Sequence, residues 1–172
     1  MPQALIVPCG PGDAETVSAL GARTFTETFG HLYPPEDLAT FLADAYGLDG
    51  TQEDLADPLQ AIWLVKDGDE PIGYVHVGPC GLPHPKVTEA AGELKRIYLL
   101  HGRQGGNLGA RMADIALDWL DQAGRSDIWL GVWSQNLGAQ RFYARRGFEK
   151  VGEYDFAVGQ TLDHEFIMRR RR

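Results

Sequence analysis

The sequence predicts an α/β fold, helices packed on a central sheet, and three observations carry the prediction. Seven short apolar or alternating runs read as strands. The segments between several of them carry apolar residues at helical spacing. The chain of 172 residues has the length of one domain, and no repeat, low-complexity tract or long linker divides it, so residues 1–172 are expected to fold as a unit.

The elements follow in order. Ala4 to Val7 is a short apolar run suited to an edge strand. Asp13 can cap a helix with Glu15 in its first turn, and Val17, Leu20, Phe25 and Phe29 share one face of it. Pro35 opens a second helix with Leu38, Phe41, Leu42 and Ala45 at helical spacing, ended by Gly47. Thr51 to Asp57 adds a further turn or two. Ala61–Lys66 and Pro71–Gly78 form a hairpin, and the Gly- and Pro-rich stretch from Gly78 to Gly92 is a loop. Glu93–Leu100 is a strand. A glycine-rich turn then leads into a helix with the stripe Leu108, Met112, Ile115, Ala116 and Trp119, stopped near Gly124. Ile128–Trp133 is a core strand, Asn136–Arg146 a helix closed by Gly147, and Phe148–Val158 with Thr161–Met168 a last hairpin about Gly159.

Composition excludes several classes. No run approaches the roughly 18 apolar residues of a membrane span, and Met1 to Cys9 lacks the basic start and apolar stretch of a secretory leader. Cys9, read as a strand residue, and Cys80, read as loop, offer neither a disulfide framework nor metal-ligand spacing, so a cytoplasmic protein without a metal is expected. Net charge is −8, unevenly spread: residues 1–60 hold ten acids against one base, Arg23, a net of −9. Such a surface repels nucleic acid and attracts polycations. The run Arg169 to Arg172 reads as a solvated tail, because no basic patch accompanies it. Trp63, Trp119, Trp129 and Trp133 read as core.

Two clusters carry chemistry. Arg103-Gln-Gly-Gly-Asn-Leu-Gly109 joins a strand to a helix. Its glycines let several N–H groups point at one spot, and the helix start adds positive potential, which suits a phosphate or pyrophosphate. The spacing fits neither the nucleoside-triphosphate loop, which needs Gly-Lys-Ser/Thr, nor the dinucleotide G-x-G-x-x-G, whose first glycine would fall on Gln104. A turn without a ligand explains the glycines equally well. In the second cluster, Asn136 and Tyr143 stand nearly two helical turns apart and so point to one side. An amide can clamp a polar chain, and a phenol stays protonated at neutral pH and can give a proton to a thiolate. The alternative is a helix cap at Asn136 and a core ring at Tyr143.

Together the segments resemble the GCN5-related N-acetyltransferase (GNAT) family. Glu93-Leu-Lys-Arg-Ile-Tyr-Leu-Leu with Gln104 to Gly109 is similar to its acetyl-CoA motif, and Leu130-Gly-Val-Trp-Ser-Gln-Asn-Leu-Gly-Ala-Gln-Arg-Phe-Tyr-Ala-Arg-Arg-Gly-Phe to its second motif. Within the family, the second motif, Gly152-Glu-Tyr-Asp-Phe-Ala-Val-Gly, Phe166-Ile-Met and Phe25-Thr-Glu-Thr-Phe resemble bacterial spermidine and spermine acetyltransferases. The pattern departs at Asn107, where the family's Q/R-x-x-G-x-G/A has glycine. The resemblance implies a mixed, mostly antiparallel sheet of about seven strands. It implies that the backbone of Ile97, Tyr98 and Leu99 holds the pantetheine arm, that Gln104, Gly105, Gly106, Asn107, Leu108 and Gly109 cradle the pyrophosphate, that Asn136 clamps the arm, and that Tyr143 protonates the departing thiolate.

The implied reaction is acetyl transfer from acetyl-CoA to a primary amine, with a polyamine such as spermidine or spermine as the expected acceptor. Such an amine has a pKa near 10.4 and must lose a proton before attack. Glu27, Glu93, His31 and His76 are the candidate bases, although His76 in a strand also reads as a structural residue. Glu27, Glu36 and Asp37 are the candidates for meeting a polycation. Alternatives keep the chemistry but change the acceptor to a protein N-terminus, a lysine or an antibiotic amine, or make the chain a non-catalytic acyl-CoA sensor, against which Tyr143 counts. A homodimer stays open.

Overall fold

The computed structural model describes residues 3–172; Met1 and Pro2, the start of the segment read for leader character, lie outside them. Seven strands form one sheet: β1 (Leu5–Pro8), β2 (Ala61–Asp67), β3 (Glu70–Pro79), β4 (Gly92–Leu99), β5 (Asp127–Trp133), β6 (Glu149–Val158) and β7 (Thr161–Arg171). Their order is β1-β2-β3-β4-β5-β7-β6. Every neighbouring pair is antiparallel except β4 and β5. Five α-helices accompany them: α1 (Ala14–Phe29), α2 (Pro35–Tyr46), α3 (Leu48–Ala56), α4 (Leu108–Gln122) and α5 (Leu137–Ala144).

The helices divide between the two faces. The stripe of α4 buries Met112, Ala116 and Leu120 completely, against Val75, Val77, Ile128 and Leu130, and α5 joins this layer through Ala139 and Tyr143. On the other face Leu20 and Phe25 of α1 and Tyr46 of α2 pack on Leu64, Tyr74 and Leu100. A third patch, on the same face as α1, covers Trp129 and Ile167 with the loop from Cys80 to Ala91. No described helix is long and apolar enough to cross a membrane.

Two expectations need correction. The arginine run is no solvated tail: Arg169, Arg170 and Arg171 belong to β7 and pair with Trp129, Ile128 and Asp127 of β5. Asp127 and Asp121, from the nearly charge-balanced part of the chain after residue 60, hold them there. Arg169 Nε lies 2.6 Å from the buried Asp127 carboxylate, and Arg170 Nη2 donates to Asp121 at 3.0 Å. Cys9 stands one residue past β1, though its N–H still donates to Ile62 O (2.9 Å).

One irregularity in the sheet prepares the site. The parallel strands β4 and β5 pair only at Gly92–Ile128 and Glu93–Trp129, and beyond these residues they splay. Leu94 to Leu99 and Leu130 to Trp133 therefore face one another across a gap in the middle of the sheet. Unpaired strand edges leave backbone N–H and C=O groups without partners, and these want an occupant.

Candidate active site

A cavity of about 590 Å³ occupies the gap and is lined by residues from both faces of the sheet. From the side of α4 and α5 it is lined by Asn136, Ala139 and Tyr143. From the side of α1 and α2 it is walled by aromatic rings, among them Phe29, Tyr98, Trp133 and Tyr154. Trp133, expected in the core, is instead half-buried in this wall, with Phe29 edge-on at 6.2 Å. Gly131 opens the passage, since a Cβ there would stand 2.7 Å from the Tyr154 hydroxyl.

Along β4 the backbone alternates between β3 and the gap. The N–H of Leu100 donates to Ile72 O on β3 (2.8 Å), so by strand alternation Tyr98 also bonds toward β3, while Ile97 and Leu99 turn their peptide groups to the gap. The Gln104 side chain reaches Leu99 O at 3.4 Å, in keeping with that orientation. Of the three residues expected to hold a pantetheine arm by their backbone, two thus face the gap. Tyr98 contributes its ring, tilted against Tyr74 at 6.0 Å. A bulge earlier in β4 pairs Leu94 with Val77 and Arg96 with His76, leaving Lys95 as the extra residue. Bulges re-aim side chains, and here Lys95 and Arg96 both line the cavity.

The glycine-rich turn stands at one end of the gap. Gly105, Gly106 and Asn107 have φ of 121°, 58° and 61°, three left-handed residues in succession directly before α4. Asn107 is the only non-glycine with positive φ among the described residues. Asn tolerates this region better than other side chains, which explains how it can replace a glycine. The amides of Gly106, Asn107, Gly109 and Ala110 donate to no acceptor among the described residues. A concave set of free N–H groups at a helix start is a fitting seat for a pyrophosphate. Arg103 ties the turn to the β2–β3 hairpin through Asp67 (3.0 Å) and Glu70.

The left-handed loop makes a prediction. Asn107→Gly should bind coenzyme A at least as well as the wild type. Asn107→Val, β-branched where left-handed backbone costs roughly 1–2 kcal/mol, should weaken binding by about tenfold. Calorimetric titration checks this; lost binding in Asn107→Gly would mean that the asparagine side chain itself holds the ligand.

Asn136 and Tyr143 have the structural roles of cap and packed ring, and both line the cavity. Asn136 Oδ1 caps α5 by accepting from Ala139 N (3.1 Å), while the residue lines the cavity. The Tyr143 ring packs on Phe148 (5.9 Å) and lines the cavity as well. Burial pushes its phenol above the ordinary value, so it is protonated at neutral pH.

The three acids expected to meet a polycation lie elsewhere, for identifiable reasons. Glu27 accepts from His101 N (3.0 Å) and Arg23 Nε (3.2 Å), tying α1 to the turn after β4; the first of these bonds is the main cause of its lowered pKa. Asp37 accepts from Gln160 N (3.0 Å) and Thr161 Oγ1 (2.6 Å) and so pins the β6–β7 hairpin to the start of α2. Glu36 is solvent-exposed. None of the three lines the cavity.

Of the candidate bases, His31 is exposed. His76 Nε2 lies 2.6 Å from Gln60 Oε1, and burial, followed by the charges of Arg96 and Lys95, pushes its pKa down to about 3. Glu93 lines the cavity but accepts from Gly81 N (3.0 Å) and Lys95 Nζ (3.4 Å). Both cysteines are inert thiols, pushed up to about 12 for Cys9 and about 11 for Cys80 chiefly by burial. The described residues contain no cluster of His, Cys, Asp and Glu able to hold a metal.

Sequence reading missed Asp163 and Glu165 on β7, whose acids line the cavity beside Tyr154 and Trp133. Asp163 accepts a hydrogen bond from the Tyr33 hydroxyl. Burial and then the Asp163 charge raise Glu165 to about 7. A signal was present: Asp163, Glu165 and Ile167 share one face of the strand, and Ile167 is fully buried. Acids at inward positions mark a site. Arg96 was also missed, and the bulge that aims it has no sequence signature.

The split sheet, the amide cradle at the start of α4 and the phenol across the gap are features of an acyltransferase that takes a thioester carried on a phosphorylated arm. Comparison with known proteins agrees. The profile of the acetyltransferase (GNAT) family matches residues 22–148, and the chain belongs to that family. It is 30% identical over 165 residues to an uncharacterised N-acetyltransferase from the pepI 3' region of Lactobacillus delbrueckii subsp. lactis, covering 96% of this chain and 95% of the relative. It is likewise 30% identical over 156 residues to an uncharacterised N-acetyltransferase of Mycobacterium tuberculosis, covering 91% of this chain and 96% of that protein. Its fold is similar to that of the PaiA N-acetyltransferase from Thermoplasma acidophilum in complex with coenzyme A, with a TM-score of 0.76 and 17% identity over 99% of this chain and 100% of that one. The protein is thus an N-acetyltransferase of the GNAT type, and acetyl-CoA is its acyl donor.

Proposed function

We propose that the chain acetylates a primary amine of a small cationic acceptor, a polyamine such as spermidine or spermine. One observation supports this reading: the cavity in the split sheet has Tyr143 on one face and an aromatic, acid-bearing chamber on the other. Asp163 and Glu165 attract an ammonium electrostatically, and the rings of Phe29, Tyr98, Trp133 and Tyr154 line the same cavity, where an ammonium over a ring face gains ~0.5–2 kcal/mol of cation–π attraction. The donor's arm enters along Ile97 and Leu99 with its pyrophosphate on the turn before α4. Asn136 retains its side-chain amide N–H groups for the arm after capping α5. Tyr143 gives its proton to the sulfur as the carbon–sulfur bond breaks.

A panel of acceptors with a thiol-release readout tests the acceptor class. Spermidine and spermine should show the lowest KM, and that KM should rise with salt as the attraction is screened. Preference for a peptide amine or an aminoglycoside would replace the polyamine reading. A second reading rests on Arg96. Its guanidinium stacks on Tyr46 at 4.4 Å and donates to Ala45 O at the end of α2 (3.1 Å), but pairs with no carboxylate among the described residues. An acceptor carrying an anionic group as well as its amine suits that cation. An amino acid or short peptide in the same panel would then outcompete spermidine.

A further inference from the structure

We propose that Glu165 is the general base that takes the proton from the acceptor ammonium, and that Asp163, held by Tyr33, tunes and positions it. The inference rests on the acceptor being a primary amine. Glu165 stands on β7 opposite Trp133 of β5 and Tyr154 of β6, at the chamber end of the gap through which the thioester is reached. It is half-buried, and no hydrogen bond from the described residues reaches its carboxylate. A carboxylate partly withdrawn from water and without a protein donor is poorly stabilised when charged, and an ammonium in the cavity provides the donor.

The titratable groups facing Glu165 come from every neighbouring element. Asp163 shares its strand face, Tyr154 stands on β6, Tyr98 on β4, and Tyr33 lies between α1 and α2. All are acids or phenols, and no cation is paired with Glu165 among the described residues. Asp163 is differently placed, because the Tyr33 hydroxyl donates to it. Its negative charge raises the proton affinity of Glu165. Burial and a neighbouring negative charge together are the arrangement that places a carboxylate base close to working pH. Glu93 and His76, the bases considered from sequence, are occupied by Lys95 and Gln60.

The protons balance. Glu165 accepts one proton from R–NH3⁺ and later releases it to water through the open chamber. The neutral nitrogen forms its bond to the thioester carbon, and the carbon–sulfur bond breaks. Tyr143 supplies a proton to the sulfur, the nitrogen loses its second proton to water, and water restores Tyr143. The products are the N-acetylamine, the free thiol and one proton in solution.

The test is the pH dependence of kcat/KM with spermidine or, if spermidine is not turned over, with the best amine of the panel. In the wild type, kcat/KM should fall as pH drops below about 7, because Glu165 becomes protonated. Glu165→Gln should lose about 10²-fold at pH 7.5 and keep rising toward the amine's own pKa, with the limb near neutrality gone. Glu165→Asp should restore part of the rate and the limb. Asp163→Asn should move the limb to lower pH, a shift that a merely structural Asp163 would not cause. An unchanged rate and limb in Glu165→Gln overturn the role of Glu165, whichever amine is used; failure of spermidine alone overturns only the polyamine reading.

Discussion

Replacing Tyr143 by phenylalanine is expected to lower kcat by about 10²-fold while leaving coenzyme A affinity within about twofold. The ring survives the substitution and keeps its contacts with Phe142 and Phe148, at 5.3 Å and 5.9 Å between centroids. The hydroxyl donates to no acceptor among the described residues, so its removal strands no buried partner and stability should hold. What would be lost is the proposed proton donor, a phenol that burial keeps protonated. Steady-state kinetics with acetyl-CoA and a fixed amine, set beside calorimetric binding of coenzyme A, separate the two quantities. An undiminished kcat would leave Tyr143 with packing alone.

The second large effect is on stability and runs opposite to the loss of rate. Glu165→Gln should make the apo protein more stable than the wild type at pH 8, by about 2–3 kcal/mol, and indistinguishable from it near pH 4. The folded chain raises this carboxyl from 4.5 to about 7, chiefly by burial and then by the Asp163 charge. The folded state thus favours the protonated form. That stabilising contribution is fully present below the unfolded pKa and is lost as pH rises through about 7. Above that, an ionised Glu165 strains the fold and an uncharged amide relieves it. Urea denaturation at the two pH values measures the difference. If Glu165→Gln were equally or less stable at pH 8, the carboxylate would have a partner that compensates its burial. Active sites commonly hold such a conflict between stability and activity.

Much of this was legible in the residues. Periodicity located the seven strands and the long helix, because the buried stripe of α4 and the runs of β2 and β3 have the simple patterns of elements packed on one core. The glycine-rich turn was legible too, since three left-handed positions in a row demand glycine or asparagine. The acceptor side was not. Charge counting pointed to Glu27, Glu36 and Asp37, but counting does not show which acids are already engaged by backbone amides. Glu27 and Asp37 prove to be ties between elements. The acids facing the cavity, Asp163 and Glu165, lie in the charge-balanced part of the chain and are brought to α1 by sheet order alone. The arginine run failed for a related reason: its partners Asp121 and Asp127 stand more than forty positions away.

The parting of β4 from β5 also bears on how the molecule behaves as a mechanical object. Two residue pairs hold the four-stranded part, β1 to β4, to the three-stranded part, β5 to β7, within the sheet, so that junction is the one with the fewest ladder bonds. On the proposed reading, an extended arm lying between Ile97 and Val132 would act as a temporary extra strand, supplying bonds that the two edges do not give each other. Donor binding would then add to the cohesion of the sheet. At 100 times its dissociation constant a donor bound only by the folded chain adds about 2.7 kcal/mol to the stability of the whole, and departure of the spent thiol would remove that contribution from the seam.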